Sequence, residues 1–481
     1  MKRFVFLSFI LKSMLLFILT RFAAAAEEPV KEKPNIILCM SDDQGWGDVG
    51  YNGHPVLQTP NLDEMAGSAL RFDRFYATSA FCSPTRAAIL TGRHPNRFGC
   101  FTWGGTLRPQ EVTIAEALKK AGYTTGHFGK WHVGSVLEGS PVNPGASGFD
   151  EWFSAPNFFD NDPVLSREGK AIQTHGESSM VVMDAALQFI SQQAQTPEPF
   201  LTVIWFGSPH LPHEASEANR KLYPDQDEAK QNFYGEITGV DNAVGKLRKK
   251  LRELGIHENT ALWFCSDNGG LDTSSTGGRG KKGSLYEGGL RVPAILEWPA
   301  YIEEPQVIDI PCNTTDIFPT LLHMAGVMKP PQKPLDGMTL LPVIDGKIQK
   351  RPVKMGFWQY PTQGRGTPSH EWMRELLEAQ NNNAEVENKT AQLCLDAAEI
   401  PGKHPRDSLP GHAALIDWPW KLHRIVYSKD SVKFELYNLD KDPGETQNVV
   451  NERLPRGNIM EYMLISWQKD VIQSLNGRDY Q

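Results

Sequence analysis

The stretch NIILCMSDD, residues 35–43, places a run of largely apolar residues directly before two adjacent carboxylates, Asp42 and Asp43. A short apolar run that does not alternate with polar residues is typical of a strand buried on both faces of a sheet. Two further runs, at 201–206 and 261–265, have the same form. The sequence therefore predicts at least three buried strands in a parallel sheet.

Side chains that can carry chemistry follow each of these predicted strands. The first strand runs into Asp42 and Asp43, the second is followed by His210, and the third runs into Asp267 and Asn268. In open α/β sheets, ligands bind beyond the carboxyl ends of the strands. We therefore expect these residues to share one site.

Helical patterns lie between the predicted strands. Pro60 is suited to the first turn of a helix, with Thr59 as its cap, and Thr113 and Glu116 match a capping box. A longer apolar periodicity ends at Gly255. The alternation of strands and helices favours an α/β fold with a large, mostly parallel sheet sandwiched by helices.

The pattern changes towards the C-terminus. Three short strand-like runs occur there, at 412–416, 421–426 and 432–437. An amphipathic helix is expected to begin near Met460. We therefore predict a large α/β domain over residues 27–400 and a smaller C-terminal α+β subdomain over residues 401–481.

Residues 1–26 have the form of an export signal. Lys2 and Arg3 precede an apolar stretch, and four alanines at 23–26 offer a small-residue cleavage site. The alternative is an uncleaved membrane anchor, but the uninterrupted apolar run is far shorter than the ~20 residues that a span needs. We predict an exported protein, periplasmic or secreted, with no membrane span once the signal is cleaved.

The charge and the cysteines narrow the class of protein further. The formal net charge is −8, and removal of the basic residues 1–26 makes the chain more acidic, so we expect no nucleic-acid partner. The six cysteines are irregularly spaced and lack the pairs typical of zinc sites. Cys39 and Cys265 lie inside apolar runs, which predicts buried thiols.

The most specific motif is CSPTR, residues 82–86, followed by LTGR at 90–93. Pro84 suits the first turn of a helix. This places Cys82 at a helix N-terminus, where unpaired N–H groups favour an anion. Arg86 lies one turn further along the same side. A cysteine in this position is either a thiolate nucleophile or a buried residue at a helix start.

The combination of CxPxR with LTGR resembles the signature of the type I sulfatases, which are formylglycine-dependent, arylsulfatase-like enzymes of the alkaline phosphatase superfamily. The resemblance implies that a formylglycine-generating or equivalent maturation enzyme converts Cys82 to formylglycine in the unfolded chain. It also implies that the hydrated aldehyde attacks sulfur, with Arg86 among the positive charges around the sulfuryl group. The similarity extends from about Asn35 to Asn448.

The acidic residues at the strand ends are candidates for a metal site. Adjacent carboxylates are costly unless a cation neutralises them, and oxygen ligands favour Ca²⁺ or Mg²⁺ over zinc. An isolated pair of acids is more often a solvated turn. The resemblance assigns one calcium ion, with Mg²⁺ the less favoured choice, to Asp42, Asp43, Asp267, Asn268 and the modified Cys82.

Further candidate residues come from GKWH at 129–132, from the segment after the second strand, and from GKKGSLYEGG at 280–289. The resemblance implies that Lys130 holds the diol and the sulfate and that His132 assists the diol. It gives Lys282 a sulfate-binding role. It makes His210, rather than the nearby His213, the proton donor to the leaving oxygen.

The resemblance as a whole implies a sulfatase that hydrolyses sulfate esters of carbohydrates, most similar to those acting on sulfated amino sugars. Residues 157–161 read NFFDN, where some relatives carry a substrate-contacting Ser or His, so the residue that reads the substrate is open. One alternative is a phosphonate or phosphate monoester hydrolase of the same superfamily. The other is a non-catalytic secreted binding protein, which predicts loss of Cys82 or of the ligands, and both are present.

Overall fold

A computed structural model describes residues 32–327, 334–384, 390–400, 404–428 and 431–481. The predicted export signal at residues 1–26 lies outside the described residues, so export and signal cleavage stay predictions. Within the described part of the chain, no helix combines the length and the apolar character that crossing a bilayer requires.

In the described part of the chain, the strands form one large sheet and two small ones. In chain order, the strands are β1 Asn35–Ser41, β2 Leu70–Phe72, β3 Phe75–Tyr76, β4 Thr124–Lys130, β5 Glu151–Ala155, β6 Val164–Arg167, β7 Lys170–Gln173, β8 Phe200–Trp205, β9 Thr260–Ser266, β10 Arg291–Val292, β11 Ala294–Glu297, β12 Gln306–Ile308, β13 Cys312–Asn313, β14 Met355–Gln359, β15 Gly411–Asp417, β16 Trp420–Ser428 and β17 Ser431–Asn438. The large sheet has ten strands in the order β12-β2-β11-β9-β1-β8-β4-β5-β6-β7, and the smaller sheets have the orders β10-β3-β13 and β14-β15-β16-β17.

The three strands predicted from apolar runs are neighbours in the large sheet. The strand β1 lies between β8 and β9 and pairs with both in parallel. Its side chains alternate between two cores: Ile36, Leu38 and Met40 pack on one face, and Ile37 and Cys39 pack on the other. Burial on both faces explains why the sequence shows a continuous apolar run here rather than an alternating one.

Helices cover both faces of this sheet. The helices are α1 Pro60–Ser68, α2 Cys82–Thr91, α3 Ile114–Lys119, α4 Ser178–Gln193, α5 Glu217–Arg220, α6 Glu228–Glu253, α7 Glu287–Leu290, α8 Ile317–Met324, α9 Leu341–Ile344, α10 Ser369–Asn381, α11 Thr390–Leu393 and α12 Leu454–Leu475. One face packs against α1, α4 and α6, and the other packs against α2, α3 and α8. The predicted α/β fold is confirmed.

The two helix caps predicted from the sequence can be compared with the structure. The capping box of Thr113 and Glu116 is present. Thr59 is the N-cap residue of α1, as predicted, but its side chain makes no capping hydrogen bond. Its hydroxyl accepts from the Gly50 N–H at 2.7 Å and donates to Asp63 at 2.9 Å. Because the hydroxyl is engaged by Gly50 and Asp63, the backbone N–H groups of the first turn of α1 make no hydrogen bond to the Thr59 side chain.

The smaller C-terminal unit is an antiparallel sheet packed against α12. The three predicted strands are present as β15, β16 and β17, and β14 completes the sheet. The terminal helix begins at Leu454, six residues before the predicted start near Met460. The division of the chain at residue 400 stays a prediction, and β14 shows that the small sheet also uses residues 355–359.

Ion pairs of the buried Arg97 join α12 to the large domain. The Arg97 guanidinium donates to both carboxylate oxygens of Asp336, at 2.7 and 2.8 Å, and also to Asp470 of α12 at 2.8 Å. Burial opposes the charge of Asp336, but Arg97 lowers the pKa of this carboxyl to about 2. Two parallel hydrogen bonds of this kind are strong and geometrically specific.

We predict that Asp336→Asn lowers the free energy of unfolding at pH 7 by roughly 3 kcal/mol, because it leaves the buried Arg97 with the half-exposed Asp470 as its remaining carboxylate partner. The folded pKa lies below the ordinary value of 3.8, so the carboxylate stabilises the fold above about pH 4. That contribution is lost as the pH falls towards about 2. Urea unfolding at pH 7 and pH 3 should therefore give a smaller difference from wild type at pH 3.

The matched control is Asp225→Asn, at an exposed position. It should change the unfolding free energy by less than about 0.5 kcal/mol at either pH. An effect of Asp336→Asn that is equal at both pH values would contradict the assigned pKa.

Candidate active site at the carboxyl edge of the sheet

The side chains predicted to share one site lie together at the carboxyl edge of the large sheet. They come from four neighbouring strands: Asp42 and Asp43 after β1, Lys130 at the end of β4, His210 after β8, and Asp267 and Asn268 after β9. The helix α2 brings Cys82 and Arg86 to the same place, and the segment before α7 brings Lys282. The parallel pairing of the central strands thus assembles residues that are far apart in sequence.

Cys82 is the first residue of α2 and is fully enclosed. Its Sγ lies 3.3 Å from Asp42 Oδ1 and 3.9 Å from Asp43 Oδ1. The amide nitrogen of Asn268 lies 3.7 Å from the same sulfur. The helix begins after Phe81 without a side-chain cap. Cys82 therefore stands at the centre of the site, at the positive end of a helix.

Three cations face the three carboxylates of the site. The Lys130 ammonium contacts Asp42, and Lys282 Nζ lies 2.6 Å from Asp43 Oδ2. The third cation is the guanidinium of Arg86, which lies 2.8 Å from Asp267 Oδ2 and, like that carboxylate, is inaccessible to solvent. Because desolvated charges are stable only when paired, this arrangement holds the side chains in fixed positions.

Four ligand atoms, one each from Asp42, Asp43, Cys82 and Asp267, all lie within 4.8 Å of one another. The amide oxygen of Asn268 is buried and has no hydrogen-bond partner among the described residues. Three carboxylates and an unpaired amide oxygen are the donors that a hard divalent cation prefers. The residues present therefore fit a calcium ion.

The pKa values of Asp42 and Asp267 shift in opposite directions. Burial opposes the charge of Asp42, but Lys130 and the other cations hold the pKa of this carboxyl well below its usual range. Burial and then the Asp42 charge raise the pKa of Asp267 to about 7. A divalent cation between the carboxylates would favour the ionised form of Asp267.

The same charges oppose a thiolate at Cys82. Burial, and then the Asp42 carboxylate, raise the pKa of the Cys82 thiol well above its usual range. The nearby lysines lower it by less. Burial and the Asp42 carboxylate therefore favour the protonated thiol in the unmodified side chain.

The three candidate histidines have different surroundings. The His210 Nε2 lies 3.8 Å from Asp43 Oδ2, and its ring stacks on Phe158 with centroids 4.4 Å apart. His213 points elsewhere, with Nδ1 3.4 Å from Glu236. The His132 ring is buried at the site, and neither of its nitrogens has a hydrogen-bond partner among the described residues. Burial and then Lys130 lower the pKa of His132 well below its usual range, so the ring is neutral.

A buried network behind the site, which the sequence did not reveal, fixes the segment that carries Lys282. Glu287 accepts from the Tyr76 hydroxyl and from Lys421 Nζ, each at 2.9 Å. Its backbone N–H donates to Glu445 at 2.6 Å, and Lys421 lies 3.2 Å from that carboxylate. Lys421 and Glu445 belong to the C-terminal unit, so the small sheet supports the active edge of the large one.

The α/β fold, with Cys82 at a helix start and paired charges around it, fits a hydrolase acting on anionic esters. Comparison with known proteins agrees. Residues 34–327 match the Sulfatase family model, and the chain belongs to the sulfatase family. Its activity class is that of the sulfuric ester hydrolases.

Two curated relatives illustrate the similarity. The chain is 35% identical to N-acetylgalactosamine-6-sulfatase of Mus musculus, over 69% of each protein. It is 32% identical to arylsulfatase A of Homo sapiens, over 89% of this chain and 85% of that protein.

Solved structures share the fold. The structure of Ps i-CgsB in complex with k-i-k-neocarrahexaose has a TM-score of 0.74 and 24% identity, over 91% of this chain and 93% of that one. A phosphonate monoester hydrolase of Agrobacterium radiobacter has a TM-score of 0.62 and 18% identity, over 91% and 96%. Likenesses at this identity show the fold alone.

The backbone beside Lys130 depends on a glycine. Gly129 has φ +99°, and a Cβ there would lie 2.0 Å from the carbonyl oxygen of Trp205 on β8. This glycine lies within β4, one residue before its end. Close approach of the two backbones at this point places the Lys130 side chain against Asp42.

We predict that Gly129→Ala lowers the free energy of unfolding by roughly 3 kcal/mol or more, through backbone strain and a clash with β8. It should also abolish sulfatase activity by moving Lys130. Gly139→Ala is the matched control, because Gly139 has φ +79° but open space around its Cβ position. That variant should lose only about 1–2 kcal/mol. Equal losses in urea unfolding would show that the contact with Trp205 is unimportant.

Proposed function

We propose that this protein hydrolyses sulfate esters of carbohydrates, using a formylglycine made from Cys82 and one bound calcium ion. The observation that carries the proposal is the position of Cys82, 3.3 Å from Asp42 and within the oxygen-rich cluster that fits a cation. Carbohydrate substrates are supported by the relatives, one of which is named an N-acetylgalactosamine-6-sulfatase. A fold neighbour is a complex with D-glucosamine-2-N,6-O-disulfate.

The residues that would hold calcium are Asp42, Asp43, Asp267, Asn268 and the modified Cys82. When bound, the ion would supply positive charge against the sulfate ester and its developing negative charge. The maturation enzyme would act on the chain before folding, because Cys82 is inaccessible in the native structure. Mg²⁺ is the less favoured ion, since a site with many protein oxygens suits the larger coordination shell of Ca²⁺.

The modification solves the problem of turnover. Hydrated formylglycine carries two hydroxyls on one carbon. Attack by one hydroxyl on sulfur forms a new S–O bond and releases the alcohol of the ester. Loss of the proton from the second hydroxyl then re-forms the aldehyde and expels sulfate. A plain Ser or Cys at position 82 lacks this exit.

The surrounding side chains have complementary roles in the proposal. Arg86, Lys130 and Lys282 would hold the sulfuryl oxygens, and His132 would assist the diol. His210 would donate a proton to the leaving oxygen. Of these side chains, Lys130 and Arg86 are inaccessible, whereas Lys282 and His210 are 18% and 19% exposed. The alcohol part of the ester would therefore leave on the side of His210.

The metal assignment predicts loss of activity on chelation and its return with Ca²⁺. Asp42→Asn should bind calcium much more weakly and be inactive, because one carboxylate of the cluster is neutralised while its shape is kept. Elemental analysis should find about one calcium per wild-type chain. The exposed Asp225→Asn should match wild type. Stoichiometric zinc in the active protein would refute the assignment.

The nucleophile assignment predicts that protein made without a maturation enzyme folds and binds calcium but turns over very poorly. Active protein should show, by mass spectrometry of the peptide spanning Cys82, conversion to formylglycine, and hydrazide probes should label it. Cys82→Ser should accept one sulfuryl group and stall, because a single hydroxyl attacks but cannot eliminate. Full multiple turnover by protein with only unmodified Cys82 would overturn the mechanism.

Paired rates on the sulfate and phosphate monoesters of one phenol separate this function from the alternatives. A sulfatase should turn over the sulfate ester far faster. A higher rate on the phosphate or phosphonate ester would favour the other hydrolase of the superfamily. Absence of turnover by converted, calcium-loaded protein on these esters and on a panel of sulfated sugars would favour the non-catalytic binding protein.

A further inference from the structure

A second feature lies beside the catalytic candidates. A cavity of about 290 Å³ has His132 in its lining. Its remaining lining comes from residues 104–106, 134–135, 365–367, Trp372, Gln392 and Cys394. We call it the Arg365 cavity. His132 belongs both to this cavity and to the proposed site, so a ligand in the cavity would contact a residue of that site.

The charge of the Arg365 cavity is positive. Arg365 is exposed, and its guanidinium makes no ion pair or hydrogen bond with the described residues. Among the residues that the structure describes, no carboxylate contributes to the lining. A neighbouring cavity of about 310 Å³ shares residues 104–106 and is also lined by Arg365, together with Arg108, Asp396 and Glu399. The two carboxylates there offset the two cations, so an anionic group is favoured in the Arg365 cavity over its neighbour.

The shape of the cavity suits a ring that carries polar groups. Trp372 adds a flat apolar surface, and glycine backbone forms much of the wall. Gly104 has φ +73°, and a Cβ there would lie 2.1 Å from the Arg365 carbonyl oxygen. Ligand sites are commonly apolar clefts with a few placed polar groups, and a sugar ring with one acidic substituent matches this combination.

The position of Arg365 is tied to the catalytic helix. The Arg365 N–H donates to the Trp103 carbonyl oxygen at 3.1 Å. Gly104, which follows Trp103, donates its N–H to the Ser83 hydroxyl at 2.9 Å. Ser83 directly follows Cys82 in α2. Two hydrogen bonds thus connect the segment that carries the cation to the residue beside the proposed nucleophile, which fixes the spacing between them.

We propose that the Arg365 cavity is a subsite for an anionic sugar residue adjacent to the one whose sulfate is cleaved. Trp372 packs against the sugar ring, and Arg365 binds its carboxylate or second sulfate. This proposal rests on the proposed function and deepens it, because it assigns the substrate to acidic oligosaccharides rather than to isolated sulfated sugars. It also gives the protein a specificity residue outside the 157–161 segment.

Binding to unconverted protein tests the proposal, since the bound sugar is then not consumed. Calorimetry with calcium present would compare inorganic sulfate, a chondroitin 6-sulfate tetrasaccharide and a carrageenan tetrasaccharide. The first oligosaccharide offers carboxylates and sulfates, and the second offers sulfates only. At least one tetrasaccharide should bind about tenfold more tightly than inorganic sulfate, as expected for one added charge-assisted contact.

Arg365→Ala should weaken binding of that tetrasaccharide about tenfold and leave the affinity for inorganic sulfate unchanged. Arg365→Lys should recover part of the loss, because it restores the charge without the planar guanidinium. The matched control is Arg374→Ala, at an exposed position on α10 that is not part of the cavity lining. It should leave all three affinities unchanged.

Two results would overturn the subsite. One is that neither tetrasaccharide binds more tightly than inorganic sulfate. The other is that Arg365→Ala and Arg374→Ala weaken oligosaccharide binding equally, as a general effect of charge would. Failure of the proposed function is recognised separately, because it appears as absent turnover by converted protein, whatever the unconverted protein binds.

Discussion

The structure depends on the enclosure of three carboxylates at one edge of the sheet. Asp42, Asp43 and Asp267 are almost fully shielded from solvent, and desolvation penalises the charge of each. Three cations from different elements face them, and the oxygen-rich cluster between them fits a further cation. The elements that reach this edge bring the carboxylates and the cations of the site into contact, away from water.

The order of the strands makes this enclosure possible. The central strand β1 has a parallel neighbour on either side, so all three strands end at the same edge of the large sheet. The fourth strand in this group, β4, ends at Lys130 after a glycine that allows the two backbones to approach. Helix α2 then closes the site from above its sheet face and places Cys82 among the carboxylates. The small sheet completes the enclosure through Lys421 and Glu445, which hold the segment carrying Lys282.

Several features could be predicted because they depend on local patterns. The continuous apolar run before Asp42 required a strand buried on both faces, and Pro84 required a helix start at Cys82. Other features depended on competition that is not visible locally. The Thr59 side chain bonds to a neighbouring loop instead of making a capping hydrogen bond. The helix terminus at Cys82 favours a thiolate, but burial and the Asp42 carboxylate favour the protonated thiol.

The sequence by itself determined the fold class, the strand ends and the residues that meet there, because these follow from apolar periodicity and from the family signature around Cys82. Only the tertiary structure decided which charges face each other and what lies beside the site. Lys421 alternates with apolar residues in β16 and resembles a solvent-facing lysine in sequence, yet it is fully buried against Glu287. Arg365 likewise has no local motif. Both roles arise from contacts between distant segments, and the free energy of such contacts depends on burial that no short stretch of sequence specifies.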